Sequence, residues 1–369
     1  MQSLRFLLLP FSLLYGIFMW IRNFLFDHKI LKAMRFNVPV IAIGNLSVGG
    51  TGKTPHVEYL AGLLCNDFHV ATLSRGYGRR TKGFLLVSDP TNTTMIGDEP
   101  MQYYSKFKNI LVAVGEKRTD AIEQLLLLAS KPEVILLDDA FQHRSVDAGI
   151  NILLIEYDKV MDMDYPLPAG NLREWKSGMQ RAGIIIISKS PSILVPIERK
   201  RIVDHLEPAA HQKVFFTYYK YGEFTKLSGK QGGMFMSSSY YLEKRFTILL
   251  VTGIANPAGL IEYLRRNTDK IEMMAFPDHH EYTKKDMKKI QETFDNIVNP
   301  SKIIVTTEKD AMRLKNPALD EFTKQLPFFY LPIEVVFHNA ATDHKEFDKT
   351  IFEYVRKNQP HSVLPQEVN

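Results

Sequence analysis

The chain has very little cysteine and no strong charge of either sign. Cys65 is the one cysteine among 369 residues, which excludes an internal disulfide framework and permits a reducing compartment. The net charge of +5 is too small to indicate nucleic acid, although it suits an anionic substrate or an anionic membrane leaflet. The sequence also lacks internal repeats and low-complexity tracts. At roughly 100–200 residues per domain, its length predicts two domains.

The N-terminus lacks a signal-peptide cleavage site after its apolar run. Residues 6–21 carry no charge, and a helix of that length covers about 24 Å, short of a ~30 Å hydrocarbon core. Polar and small residues fall on one helical stripe: Arg5, Ser12, Gly16, Asn23 and Asp27. We predict a membrane-associated helix over residues 1–30 that lies in the interface, or docks this stripe on the protein while lipid covers the rest. Burial in the protein core and a single membrane span remain open.

Short apolar runs alternate with helical patterns along the rest of the chain. This alternation predicts an α/β fold with a parallel sheet covered on both faces by helices. Strands are predicted at 38–43, 69–74, 110–114, 134–137, 150–155 and 183–188, with helices at 54–64 and 118–129. Residues 191–208 are interpreted as a passage to a smaller α/β unit, whose strands are predicted at 214–218, 246–252, 303–306 and 328–335. The predicted domains are 31–205 and 206–355, followed by a mobile tail over 356–369.

A phosphate-binding loop follows the first predicted strand. Residues 47–54 read Ser-Val-Gly-Gly-Thr-Gly-Lys-Thr, the Walker pattern except that Ser47 stands where glycine or alanine is usual. Glycines let the backbone N–H groups wrap an anion, and the following helix adds its positive N-terminus. Lys53 would reach the β- and γ-phosphates and Thr54 would ligate Mg²⁺. The predicted ATP-binding residues in the loop are Gly49, Gly50, Thr51, Gly52, Lys53 and Thr54.

An apolar strand at 134–137 ends in two carboxylates, Asp138 and Asp139. One of them would hold Mg²⁺ directly or through water, so Thr54, Asp138 and Asp139 are the predicted metal ligands. No Asn-Lys-x-Asp motif is present, and the nearest segment, Ser-Lys-Ser-Pro at 188–191, lacks the acid; ATP is therefore favoured over GTP. Val48 stands where membrane-recruited partitioning ATPases carry a second lysine, which weakens that interpretation.

Longer motifs connect the chain with a known family. They are Gly-Asn-x3-Gly-Gly-Thr-Gly-Lys-Thr-Pro at 44–55, Ser-Arg-Gly-Tyr-Gly at 74–78, Gly-Asp-Glu-Pro at 97–100, Asp-Asp-Ala-Phe-Gln-His-Arg at 138–144, Leu-Arg-Glu at 172–174, Phe-Pro-Asp-His-His at 276–280 and Thr-Glu-Lys-Asp at 307–310. In this order they closely resemble the tetraacyldisaccharide 4′-kinases of lipid A biosynthesis. The resemblance implies transfer of the ATP γ-phosphate, with Mg²⁺, to the 4′-hydroxyl of a tetraacylated disaccharide 1-phosphate at the cytoplasmic face of the inner membrane. It implies neither nucleic acid nor a protein partner.

The resemblance also suggests residue roles. Asp98 resembles the family's general base, and His279 resembles the histidine that holds it, although spacing alone leaves His280 open. Their pairing would bring the second domain onto the first, so catalysis would require domain closure. Without the resemblance, Asp98 could simply cap a helix.

Lys53 is counted with the catalytic residues, and Arg173 with those that bind the nucleotide. Arg75 and Lys309 are further candidates for contact with an anion, while Gln142 and His143 are assigned no role. Two other functions remain: another small-molecule P-loop kinase, and a switch ATPase that signals by binding. The pair Asp98 and His279 argues against the switch, which needs no base for an alcohol.

Overall fold

The computed structural model describes residues 5–162, 164–227, 237–268 and 270–359. Its strands are β1 (Val40–Asn45), β2 (Val70–Ser74), β3 (Leu85–Leu86), β4 (Leu111–Val114), β5 (Val134–Leu137), β6 (Ile150–Glu156), β7 (Ile184–Ser188), β8 (Lys213–Tyr221), β9 (Thr225–Lys226), β10 (Thr247–Thr252), β11 (Ile271–Ala275), β12 (Lys302–Thr307), β13 (Phe328–Leu331) and β14 (Ile333–Phe337).

The α-helices are α1 (Leu9–Asp27), α2 (Lys53–Leu64), α3 (Thr93–Ile96), α4 (Asp98–Lys106), α5 (Arg118–Leu126), α6 (Pro196–Leu206), α7 (Ser238–Glu243), α8 (Ala258–Arg265), α9 (Lys284–Asn296), α10 (Glu308–Leu314), α11 (Asp320–Gln325) and α12 (Lys345–Lys357). Shorter 3₁₀ segments lie at Phe6–Leu8, Tyr157–Lys159, Lys176–Arg181 and Pro317–Leu319, and a π-helical turn at Ala340–His344.

The chain forms two compact units, the first from Met1–Asp89, Tyr103–Tyr219 and Val335–Asn369. Its sheet has the strand order β14-β8-β7-β6-β1-β5-β2-β4-β3. Every residue of β1, β2, β5 and β7 is buried, as expected for parallel strands covered on both faces. Because β1, β5, β6 and β7 run parallel, their carboxyl ends share one sheet edge, where α/β proteins bind ligands.

The second unit contains Pro90–Gln102 and Lys220–Glu334. Its sheet has the order β11-β10-β12-β13-β9, parallel except for β9. Met287, Ile290 and Phe294 of α9 pack on one side of this sheet. This α/β arrangement was predicted, as was that of the first unit.

The boundaries between the units differ from the predicted 31–205 and 206–355. β8 pairs with β7, and α6 occupies the segment that was interpreted as a passage, so the first unit continues to Tyr219. After β13 the chain returns to the first unit, where Tyr354 of α12 bonds to both backbone groups of Val40. The predicted mobile tail begins inside α12, which ends at Lys357, and residues 360–369 lie outside the described residues.

The segment Pro90–Gln102, which contains α3 and the first residues of α4, also belongs to the second unit. Met101 packs against the core that contains Met287 and Ile290, which is why Pro90–Gln102 clusters there and not with its sequence neighbours. The predicted strand at 328–335 is two strands, because Pro332 separates β13 from β14 and proline has no N–H to donate to a ladder.

Helix α1 docks its polar stripe on the first unit. Ser12, Gly16 and Met19 are buried, and a Cβ on Gly16 would come within 2.7 Å of the Trp175 indole. The remaining surface carries exposed apolar side chains: Leu13, Leu14, Phe11, Ile17, Phe18, Trp20, Ile21 and Phe24. The alternative that this helix is buried in the protein's own core therefore disagrees with these exposed side chains. By length and composition α1 could cross a membrane.

Candidate active site

The phosphate loop connects β1 to α2 at the carboxyl edge of the first sheet. Gly52 has a φ of +89°, and a Cβ at this residue would lie 2.0 Å from the Tyr219 hydroxyl, so only glycine fits. Gly49 also has a positive φ, +116°. A Cβ on Gly50, by contrast, would meet nothing within 4 Å. The loop thus leaves open space over Gly50 at the N-terminus of α2, the arrangement in which backbone N–H groups bind phosphate.

A second segment holds the loop from the side. Val48 N donates to Asn171 O at 2.7 Å, and Arg173 N donates to Leu46 O at 2.7 Å. These bonds place Arg173 beside the loop, and its contact with the nucleotide stays a prediction. Its guanidinium donates to Asp139 Oδ1 at 2.7 Å.

Lys53 and Asp139 form the charged centre of this group. Lys53 Nζ lies 3.1 Å from Asn45 Oδ1 and 3.4 Å from Asp139 Oδ1. Burial raises the pKa of Asp139, but the charges of Lys53 and Arg173 outweigh it, so the net pKa lies below its usual value. Asp139 has a φ of +49°, a strained conformation that residues at functional sites often adopt.

Asp138 lies deeper, at the end of β5. Its Oδ2 accepts a hydrogen bond from the Tyr103 hydroxyl at 3.0 Å and lies 3.5 Å from Ser74 Oγ. The buried Arg118 donates to its backbone carbonyl at 3.3 Å. This network holds Asp138, one of the three residues predicted to bind the metal, in place.

The residues at this edge fit Mg²⁺ and a nucleotide phosphate. Thr51 Oγ1 is buried and has no hydrogen-bond partner among the described residues. Thr54, Asp138 and Asp139 would supply oxygen ligands of the kind that Mg²⁺ prefers, with phosphates to complete its coordination. Among the described residues, no three His, Cys, Asp or Glu side chains form a metal-binding cluster. Mg²⁺ in a phosphotransferase does not require such a cluster.

The sequence did not predict a buried group of hydrogen-bonded side chains that stabilises the phosphate loop. Glu174 is 1% exposed and accepts hydrogen bonds from Gln142 at 3.0 Å, Asn23 at 2.7 Å and Arg181 at 2.8 Å. Gln142 also donates to Asn45 O at 2.9 Å. Glu174 and Asn45 both lie within the family motifs, so the signal was present, but Asn23 is 151 residues from Glu174 and Gln142 is 97 residues from Asn45.

A second group of candidate residues lies in the second unit. His279 Nδ1 is 3.0 Å from Asp98 Oδ2, while His280 contacts Asp286 at 3.1 Å. The structure therefore pairs Asp98 with His279. His279 has a φ of +58°, another left-handed residue at a candidate site.

The expectation that this pairing needs domain closure is wrong. Asp98 is the first residue of α4 and belongs to Pro90–Gln102, which is part of the same unit as His279. The two residues are therefore already 3.0 Å apart within one unit. Asp98 begins α4, next to the position that its alternative interpretation as a helix cap implies, but its side chain binds His279.

Two cations complete this group, and only Lys309 had been singled out from the sequence. Arg313 Nε and Nη2 donate to Asp98 Oδ2 at 2.9 and 2.6 Å. Lys309 Nζ lies 3.1 Å from His279 Nε2 and 2.9 Å from Glu99 Oε1. Burial raises the pKa of Asp98, but hydrogen bonds from His279 and Arg313 and the charges of Arg313 and Lys309 lower it to about 2.

Comparison with known proteins identifies the family. The profile of the tetraacyldisaccharide-1-P 4′-kinase family matches residues 4–354. The chain belongs to this family. The tetraacyldisaccharide 4′-kinase of Flavobacterium johnsoniae is 46% identical over 97% of this chain and 99% of its own. That of Phocaeicola vulgatus is 45% identical over 96% of each.

A solved structure supports the same conclusion for the fold. The crystal structure of LpxK from Aquifex aeolicus in complex with ATP is 31% identical to this kinase, with a TM-score of 0.71 over 95% of this chain and 99% of that one. The kinase therefore has the predicted P-loop α/β fold, and the predicted resemblance is confirmed. The roles of individual residues stay predictions.

Proposed function

We propose that the chain transfers the γ-phosphate of ATP to the 4′-hydroxyl of a tetraacyldisaccharide 1-phosphate, a step of lipid A biosynthesis. The observation that carries this proposal is the family match over residues 4–354, joined to a complete phosphate loop between β1 and α2. The relatives are named for this activity, and the Aquifex aeolicus protein is named in complex with ATP.

At the donor end, Gly49, Gly50, Thr51 and Gly52 would bind phosphate oxygens through their backbone N–H groups. Bound Mg²⁺ would neutralise phosphate charge, held by Thr54 with Asp138 or Asp139. Lys53 now faces Asp139 at 3.4 Å and would reach the β- and γ-phosphates. Arg173, as a rigid guanidinium, would contact the nucleotide phosphates bidentately.

At the acceptor end, Asp98 would accept the proton of the sugar hydroxyl. The Asp98 carboxylate stays ionised because His279 and Arg313 bond to it, and an ionised carboxylate is what a base requires. His279 would hold this carboxylate in the reactive orientation. A switch ATPase has no need for such a group.

The kinase would reach its lipid-linked substrate from the cytoplasmic face of the inner membrane. Support comes from α1, whose polar stripe is bound to the first unit while Phe11, Leu14 and Phe18 are exposed. A helix in this arrangement presents an apolar face to lipid and remains peripheral or monotopic. No protein partner and no nucleic acid enter this proposal.

Mass spectrometry of a tetraacyldisaccharide 1-phosphate incubated with Mg-ATP and the kinase tests the proposal. We expect gain of one phosphoryl group at the 4′-oxygen, together with acceptor-dependent release of ADP. Lys53→Ala is the matched control, and it should give no product while remaining folded. ADP release that ignores the acceptor would favour a switch ATPase, and phosphorylation of a different small alcohol would favour another kinase.

A further inference from the structure

Helix α10 carries two cationic side chains that contact Asp98 and His279, the pair called the candidate dyad below. Lys309 and Arg313 are four residues apart and therefore lie on one helical face. Lys309 contacts His279, and Arg313 contacts Asp98. Each member of the dyad thus has its own cation from the same helix, and the two contacts have different consequences.

The contacts of Asp98 and Lys309 together determine where the imidazole proton lies. A lysine ammonium has donors and no acceptor, so His279 Nε2, 3.1 Å from Lys309 Nζ, must accept. A proton on Nε2 would point at the ammonium. A further neighbour, Asp278 Oδ2, is 3.9 Å from Nε2, beyond hydrogen-bond distance. In the neutral ring the proton is left on Nδ1, where it can donate to Asp98 Oδ2 at 3.0 Å.

We propose that Lys309 is a positioning residue that keeps Nε2 of His279 unprotonated, so that the neutral ring carries its proton on Nδ1, orients Asp98 as a donor and does not take its proton. The inference rests on the proposed base role of Asp98. Which nitrogen carries the proton is set by the partner of the other nitrogen, as for histidines at many sites.

Arg313 makes a charged imidazole unnecessary. Its side chain is 4% exposed, and Nη1 is fixed by Gly253 O and Asp310 Oδ1, both at 2.9 Å. From this anchored position Nε and Nη2 both bond to Asp98 Oδ2. The guanidinium therefore balances the Asp98 charge, in agreement with the lowered pKa of that carboxyl.

The tautomer can be observed directly by NMR. Long-range ¹H–¹⁵N correlation spectra of the full-length kinase with ¹⁵N-labelled histidine distinguish a protonated from an unprotonated ring nitrogen. His279→Gln identifies the His279 signals by their disappearance. We expect a protonated Nδ1 and an unprotonated Nε2 at neutral pH, without any substrate present.

Substitution of Lys309 provides the causal test. Lys309→Met keeps much of the aliphatic stem and removes the ammonium, and we expect part of the population to gain a proton on Nε2. Lys309→Arg should keep Nε2 unprotonated, because it retains a cationic donor. Glu99→Gln is the matched control: it weakens the 2.9 Å ion pair of Lys309 but leaves the ammonium, and the spectrum should not change.

Kinetics complete the experiment. Lys309→Met should lower kcat by less than the about 10²–10⁴-fold expected for loss of the base itself, with the KM for ATP unchanged. A wild-type Nε2–H tautomer, or a Lys309→Met spectrum identical to wild type, would overturn the inference. A kinase that shows the expected spectra but phosphorylates no acceptor would instead remove the proposed function and leave the tautomer assignment standing.

Discussion

At the residue scale, Gly52 shows how closely the phosphate loop is packed. Gly52→Ala would place a methyl group 2.0 Å from the Tyr219 hydroxyl and would force alanine into the left-handed region, at about 1–2 kcal/mol. We expect ATP affinity to fall by about tenfold or more, measured by calorimetric titration. Gly183→Ala is the control, since Gly183 lies outside the phosphate loop and its Cβ would meet nothing within 4 Å, and Tyr219→Phe should partly rescue Gly52→Ala. Wild-type affinity in Gly52→Ala would contradict the steric explanation.

The dyad is the second test at this scale. Asp98→Ala should lower kcat by about two to four orders of magnitude, the range for a general base, with little change in the KM for ATP. His279→Ala should cost less, and adding it to Asp98→Ala should cost almost nothing, because no base is left to orient. These values come from steady-state kinetics of the wild type, the two single variants and the double variant. Full additivity would mean that the two residues act separately.

At the element scale, α1 should bind membranes through one face only. Phe11, Leu14 and Phe18 are 60%, 65% and 64% exposed. Each large apolar side chain contributes about 1.5–3 kcal/mol when buried, so replacing all three by glutamine should weaken binding to anionic vesicles by about a hundredfold or more. Co-sedimentation with vesicles measures this effect.

The control for α1 lies elsewhere in the same unit. Ile193 is 84% exposed, and Ile193→Gln should leave vesicle binding nearly unchanged. Equal losses in both variants would mean that binding is a general property of exposed apolar residues. Deleting residues 1–26 is a weaker test, because Tyr15 donates to Arg173 O and Asn23 donates to Glu174. The truncation would therefore also disturb the residues beside the phosphate loop.

At the scale of the whole molecule, His56 makes stability depend on pH. Burial lowers its pKa from 6.5 to about 4, and the neutral ring bonds to Gly52 O at 2.7 Å and to Thr217 Oγ1 at 3.0 Å. The unfolded state takes up the proton first, so this stability is present above pH 6.5 and is lost as pH falls toward 4. From pH 7 to pH 5 we expect His56 to account for about 2 kcal/mol of lost stability.

Urea unfolding at pH 7 and pH 5 checks this prediction. His56→Gln can keep a donor and an acceptor but cannot titrate in this range, so its midpoint should fall less between the two pH values. Parallel losses in wild type and variant would show that other groups cause the acid sensitivity.

Domain composition gives a further prediction at this scale. A fragment of residues 31–205 lacks β8, β14 and α12, and with α12 the hydroxyl of Tyr354 that bonds to Val40. We expect it to be insoluble or unfolded by circular dichroism. A chain in which a short linker replaces 220–334 should retain more helix and strand. Cooperative folding of the 31–205 fragment would show that the returning segment is dispensable.

The sequence by itself determined what depends on neighbouring residues. The phosphate loop, β5 with its terminal Asp138 and Asp139, and the polar stripe of α1 are continuous or periodic patterns, so their local structure follows from spacing. Most strand limits agree within one or two residues for the same reason: a buried parallel strand must be apolar along its length. The family motifs add the residues of the candidate dyad.

Tertiary structure alone decided what depends on contacts between distant residues. Asp98 and Arg313 are 215 residues apart in sequence, and neither spacing nor composition predicts that a buried guanidinium binds this carboxylate. The assignment of Pro90–Gln102 to the second unit depends on Met101, whose side chain packs in that core. The return of α12 to β1 depends on a hydroxyl that reaches Val40. In each case the two partners come into contact only after the chain has folded. The free energy of such a buried contact depends on both partners together, so neither local sequence predicts it.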